Sequence, residues 1–181
     1  NGTASQNDCW IWNFESRNWR KIEPSSESSP SGVIVWPSRR RTHSAASLGD
    51  RVFMFGGYSE PESLNDLWEF DFCCGRWIPI LAFGQVPTPR GRCSMVADPD
   101  QQKLLVFGGW DRKSCFTDMW EFSLRESRWT RLETNIEAVH GGGLCQHSMV
   151  LDQIRRSVII FGGFSTQKNE FSDEMFSIRI S

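Results

Sequence analysis

Basic and aromatic side chains return at set places along this chain. Arg39, Arg40 and Arg41 lead into a serine-bearing stretch, "RTHSAASL" (41–48); Arg90 and Arg92 lead into a second, "GRCSMVAD" (91–98); Gln146 holds the place in a third, "CQHSMVLD" (145–152). An aromatic follows each of three glycine pairs: Tyr58 after Gly56-Gly57, Trp110 after Gly108-Gly109, and Phe164 after Gly162-Gly163. Guanidinium forks suit carboxylates and phosphates, and aromatic rings anchor interfaces. Arg112, Lys113 and Lys168 add to a local positive balance, partly offset by Glu60, Glu62 and Asp111, in a chain of net charge −2. The chemistry this suits is recognition of an acidic or phosphorylated segment of a protein partner. The plainer alternative is a solvated loop face on which arginine stacks on tryptophan for packing. The partner-binding candidates are Arg39, Arg41, Tyr58, Arg90, Arg92, Trp110, Arg112 and Phe164.

A second set has the residue types of covalent or metal chemistry. His43 and His147 stand at matching places, Cys93 fills that place between them, and Ser44, Ser94 and Ser148 follow. Recurrence at matching positions argues for a structural role, such as hydrogen bonding between repeats, rather than a ligand set. His140 lies alone in "EAVHGGG" and reads as a loop residue. Neither G-x-S-x-G nor H-E-x-x-H is present, so no catalytic residue, metal ligand or cofactor is assigned. The six cysteines include no C-x-x-C, which disfavours a zinc ribbon. They read as reduced thiols of a cytoplasmic or nuclear protein; pairing of these cysteines would favour an extracellular one. The net charge disfavours a general nucleic-acid binder. No apolar run approaches the roughly 20 residues that span a bilayer, so no membrane partner is expected. The start "NGTASQNDCW" lacks the features of a signal peptide.

The elements that hold these residues repeat. The glycine pairs lie 52 and 54 residues apart (56 to 108, 108 to 162), a period that signals a repeat architecture. After them come "NDLWEFDFCCGRW" (65–77) and "TDMWEFSLRESRW" (117–129), each with Asp-x-Trp and a second Trp. "NDCWIWNFESRNW" (7–19) has the same spacing, and "DEMFSIRIS" (173–181) begins it again with Glu174-Met175-Phe176 in place of Asp-x-Trp. Each unit reads as four strands: a over 43–48, b over 51–55 ended by the glycines, c over 67–72, and d around Trp77. Turns fall at Gly49-Asp50 and Cys74-Gly75. Trp68, Phe70 and Phe72 alternate with Glu69 and Asp71. Trp68, Trp77, Trp120 and Trp129 are expected in the core between units, and Asp66 and Asp118 are expected to bond local backbone.

Strand, Gly-Gly, Asp-x-Trp and second Trp together resemble the kelch repeat over nearly the whole chain. The fold implied is all-β, a kelch-type β-propeller of about three to three and a half four-stranded blades, a fragment of a larger ring. Strands c and d of a first blade occupy 7–23, blades occupy 41–80 and 90–132, and strands a, b and c of a last blade occupy 145–181. Residues 24–40 form a flexible Ser/Pro-rich loop. Ser25, Ser26, Ser28 and Ser29 are phosphorylation candidates there, and "VIVW" (33–36) would dock on the scaffold or on a partner. The resemblance implies that the glycine pair lets the chain leave strand b at a crowded inner position. Open blade edges would allow self-association. It also implies a non-catalytic protein-interaction module that binds through its b–c and d–a loops, as a substrate receptor of a ubiquitin ligase or a scaffold. An extracellular adhesion propeller is the alternative, and a copper radical oxidase is the family's enzymatic case.

Overall fold

Antiparallel strands joined by tight turns account for nearly all of the regular structure. The computed structural model describes residues 5–24, 35–134 and 142–180, and no helix is found among them. Ser25, Ser26, Ser28, Ser29, the first half of "VIVW" and His140 lie outside the described residues. β1 (Cys9–Asn13) and β2 (Asn18–Ile22) form a two-stranded sheet. β3 (Ser44–Leu48), β4 (Arg51–Ser59), β5 (Glu62–Asp71) and β6 (Arg76–Ile80) make a four-stranded blade in chain order. β7 (Ser94–Asp98), β8 (Lys103–Phe107), β9 (Met119–Ser123) and β10 (Arg128–Leu132) make another. β11 (Ser148–Asp152), β12 (Ser157–Phe161) and β15 (Met175–Arg179) form a three-stranded blade, with β13 (Phe164–Ser165) and β14 (Glu170–Phe171) as a short ribbon beyond it. The chain is an all-β propeller fragment.

Strand periodicity explains how the blades stack. Successive residues of a strand face opposite sides, so a strand covered on both faces must be apolar throughout. β8 shows this: Leu104 and Val106 enter the core shared with the preceding blade, and Leu105 and Phe107 enter the core shared with the following one. Phe53, Phe55 and Leu67 meet Trp120, Phe122 and Trp129 in the first core. The Trp129 ring packs 5.2 Å from Phe55 and 5.0 Å from Phe122. Trp68 and Trp77 are half-buried, and Trp77 lines a groove of about 290 Å³ facing β1, with Trp10 and Trp36. Trp36 docks on the scaffold there and donates to the Asn7 carbonyl at 2.7 Å.

Strand b does not end at the glycines in the first four-stranded blade. β4 passes through Gly56-Gly57 with a bulge between Phe55 and Gly57, and pairing resumes as Gly57 opposite Leu64 and Tyr58 opposite Ser63. Strand c correspondingly starts earlier, at Glu62, and Phe72 falls in the following turn. The crowding comes from the next blade. Gly56 has φ +62, and a Cβ there would lie 2.5 Å from the Arg90 carbonyl oxygen. Gly108 meets the Leu144 carbonyl in the same way. Gly57 and Gly109 then donate to those carbonyls, at 2.9 and 2.8 Å.

Candidate functional site

Two buried arginines brace the loop end of the blades. Arg90 is wholly buried; its guanidinium meets both Asp118 carboxylate oxygens (2.5 and 2.9 Å), the Gly108 carbonyl (3.0 Å), and the carbonyl and hydroxyl of Thr88. All five N–H donors are thereby matched, and the plane lies 4.0 Å over the Phe116 ring. Asp118 also accepts from Trp120 Nε1 at 2.7 Å. Arg40 repeats the arrangement on Asp66 (2.7 and 2.8 Å), the Gly56 carbonyl and Ser38, and Trp68 Nε1 donates to Asp66 at 2.6 Å. Burial raises the Asp66 and Asp118 carboxyls. The arginine and tryptophan hydrogen bonds and the arginine charge outweigh it and hold both below the ordinary value. These aspartates therefore serve arginine and tryptophan side chains, which the sequence expectation missed; Asp66 also bonds its own backbone, as expected. Arg90 is corrected too: a fully buried guanidinium with every donor matched offers nothing to a partner.

A signal for this was present in the chain. Counted back from Ser44, Ser94 and Ser148, the fourth residue is Arg40, Arg90 and Leu144. Where Leu144 replaces arginine, Glu174 and Phe176 replace the aspartate and tryptophan. The three residues change together because each needs the others.

Three further arginines gather in the open. Arg41, Thr42, Tyr58, Ser63, Gly91, Arg92, Trp110 and Arg112 line a cleft of about 270 Å³. The Arg41 and Arg112 guanidiniums lie 4.7 and 5.0 Å from the Tyr58 ring centroid, and Arg92 lies 4.8 Å from that of Trp110. Arg112 also donates to the Pro61 carbonyl (3.0 Å), and Arg41 pairs with Glu60 (3.1 Å). No carboxylate lines the cleft among the described residues. Thr42, Ser63 and Gly91 were not singled out in the sequence, having no charge or ring to mark them. Arg39 is exposed and Phe164 is half-buried against Phe171 (5.1 Å); neither lines the cleft. Lys168 borders a different cleft, with Glu170 and Asp173.

Backbone geometry sets where these side chains point. Thr42, Arg92 and Gln146 occupy the same place in three blades and all adopt left-handed φ, +56, +57 and +61. That costs non-glycine residues on the order of 1 kcal/mol or more each. The turn is held by main-chain bonds across the blades: Arg92 N–H to the Thr42 carbonyl (2.8 Å) and Gln146 N–H to the Arg92 carbonyl (2.9 Å).

Beneath this row lie His43, Cys93 and His147. The hydrogen bonds between blades come from the serines beside them rather than from the imidazoles. Ser44 Oγ donates to the Cys93 carbonyl, and Ser94 Oγ donates to the His147 carbonyl at 2.6 Å. The His147 ring stands edge-on to Phe107, 5.0 Å away. Burial pushes it down to about 4, opposed in part by the Phe107 backbone, so it is neutral at pH 7. Among the described residues no group of three or more His, Cys, Asp or Glu is placed to hold a metal ion.

The sequence is similar to those of known proteins. Residues 1–142 match the family model described as the KLHDC2/KLHL20/DRC7 Kelch-repeats domain. An N-(sulfonatooxy)prop-2-enimidothioate sulfolyase of Thlaspi arvense is 32% identical over 149 residues, 81% of this chain and 40% of the relative. Kelch domain-containing protein 3 of Bos taurus is 29% identical, covering 73% of this chain and 35% of the relative. Host cell factor 2 of Homo sapiens is 28% identical, covering 84% and 20%. The chain thus spans less than half the length of each of these relatives. Glycine pairs under the next blade's carbonyls, arginine–aspartate–tryptophan braces and the matched family model have one meaning: the chain belongs to the kelch-repeat family.

Proposed function

We propose that this chain is a non-catalytic protein-interaction module whose arginine–aromatic cleft binds an acidic or phosphorylated segment of a partner. The observation that carries this reading is the set of three guanidiniums stacked on two rings around a cleft with no carboxylate in its wall among the described residues. Stacking holds the planar forks in place, so less side-chain freedom is lost when an anion docks. The Arg41–Glu60 pair is half exposed or more on both sides, worth about 1 kcal/mol or less, and yields readily to an incoming carboxylate.

The Thlaspi relative is named for a sulfolyase, but here Asp66 and Asp118 are occupied by arginines and Ser44 and Ser94 by bonds between blades. Those groups brace the fold, which favours binding over turnover. Family membership favours a role as substrate receptor of a ubiquitin ligase or as a scaffold, and six unpaired cysteines favour a cytoplasmic setting.

A peptide library of mixed charge tests the cleft. Wild-type protein should enrich Asp-, Glu- or phosphate-bearing sequences, with affinity falling as salt rises. Arg92→Gln with Arg112→Gln should weaken binding by about tenfold or more, on the order of 1.5–3 kcal/mol for a lost charge-assisted bond, and leave the unfolding midpoint unchanged. Equal retention of neutral and acidic peptides by the wild type would sink the reading.

A further inference from the structure

Two cysteines from different blades meet just below the Arg92–Trp110 wall of the cleft. Cys115 is carried by the loop between β8 and β9, and Cys145 by the stretch that enters β11. One carbonyl gathers them: Phe164 O accepts the Cys115 thiol (3.4 Å) and the Cys145 N–H (3.0 Å), while Phe164 N–H donates to the Cys145 carbonyl (2.7 Å). Both cysteines thus touch the same peptide group of Phe164. Their main chains also close on one another at Gly143, where a Cβ would overlap the Cys115 carbonyl. Cys115 N–H is fixed by Thr166 Oγ1 at 2.9 Å. Both sulfurs feel the charge of Arg92.

The pair is chemically polarised. The hydrogen bond from Cys145, helped by Thr166 and Arg92, outweighs burial and brings Cys115 down to about 6. The bond to Cys115, with burial, pushes Cys145 up, so the proton stays there. Cys115 is then the one of the two that ionises first, and the thiolate is the nucleophilic form. Three other thiols, Cys9, Cys73 and Cys93, are shifted the opposite way. Cys93 is raised by burial, and Cys73 by the carboxylates of Asp50 and Asp71.

We propose that Cys115 and Cys145 are a peroxide-responsive thiol pair whose disulfide staples two blades together beneath the cleft. The Cys115 thiolate attacks one peroxide oxygen. The O–O bond breaks, leaving a sulfenic acid on Cys115 and hydroxide, which takes a proton and becomes water. Cys145 sulfur then attacks the sulfenic sulfur, its proton leaves with the hydroxyl as a second water, and the S–S bond forms. The two sulfurs give up two electrons and one hydrogen peroxide becomes two waters. A small-molecule thiol reverses the reaction by exchange. Both side chains are nearly buried, at 4% and 1% exposure, so an oxidant the size of hydrogen peroxide fits the site better than a protein disulfide.

The test is oxidation of the folded protein with hydrogen peroxide, blocking with N-ethylmaleimide, digestion and mass mapping. Two of the six thiols should be lost to alkylation and appear as one linked peptide joining Cys115 to Cys145. Dithiothreitol should restore both alkylated peptides. In Cys145→Ser, dimedone should label Cys115. Cys115→Ser should give neither the linked peptide nor a dimedone adduct on Cys145. Separate alkylation of Cys115 and Cys145 in the wild type, at peroxide levels that oxidise the exposed Cys73 and Cys74, would overturn the proposal. Linkage that forms only in denaturant would do the same. The wild-type map needs no variant, so a misfolded substitution cannot decide the answer.

Discussion

Arg90 turns its guanidinium inward onto Asp118 and the Gly108 carbonyl, while Arg92, two residues on, lays its own across Trp110 at the cleft. Left-handed φ at Arg92 separates the two directions. The inward pair is a buried charge pair, whose value depends on both partners being present. Asp118→Asn leaves Arg90 charged and fully buried, and should cost about 3 kcal/mol or more in urea denaturation. Arg90→Leu with Asp118→Asn should cost clearly less than the two single changes summed, since the third blade already runs on Leu144. Strict additivity would show that the brace is not a unit. Arg41, Tyr58, Arg92, Trp110 and Arg112 were legible in the sequence because they precede the serine-bearing stretches or follow the glycine pairs, and carry obvious chemistry. Which arginine of "PRGR" (89–92) points inward was not, because that depends on a carboxylate 28 residues further on.

Between β8 and its neighbours, alternate residues fill two different cores, and this much follows from a five-residue apolar strand in a stacked fold. The extension of β4 through Gly56-Gly57 does not follow, because glycine reads as a strand breaker until a partner strand is seen opposite it. The glycine pairs are not equal in their surroundings. A Cβ on Gly108 would overlap the Leu144 carbonyl and lie 2.9 Å from His147 Cε1, whereas among the described residues one on Gly162 would meet only the Ser172 carbonyl, at 3.4 Å. Both have left-handed φ, +62 and +68, so both alanine variants carry a conformational cost of about 1–2 kcal/mol. Gly108→Ala should lose several kcal/mol beyond that and Gly162→Ala should not, as read from paired thermal unfolding curves. Similar losses would mean that backbone conformation, not the next blade, selects these glycines.

The last blade leaves its outer face bare: Val150, Phe161 and Met175 are 57%, 55% and 70% exposed on β11, β12 and β15. An apolar sheet face of this kind attracts another blade or another copy. Residues 1–181 produced alone should therefore sediment as more than a monomer at micromolar concentration, and Phe161→Lys with Val150→Glu should shift them toward one. A monomeric wild type would rule out association through this face. The row of Thr42, Arg92 and Gln146 bears on a different question, that of how such a molecule changes over generations. These residues join the blades by their peptide groups, so threonine, arginine and glutamine serve equally well there. Their side chains take no part in those bonds, so for the joint between blades they are interchangeable letters. A descendant can respell those positions while the main-chain joint between its blades stays as it was.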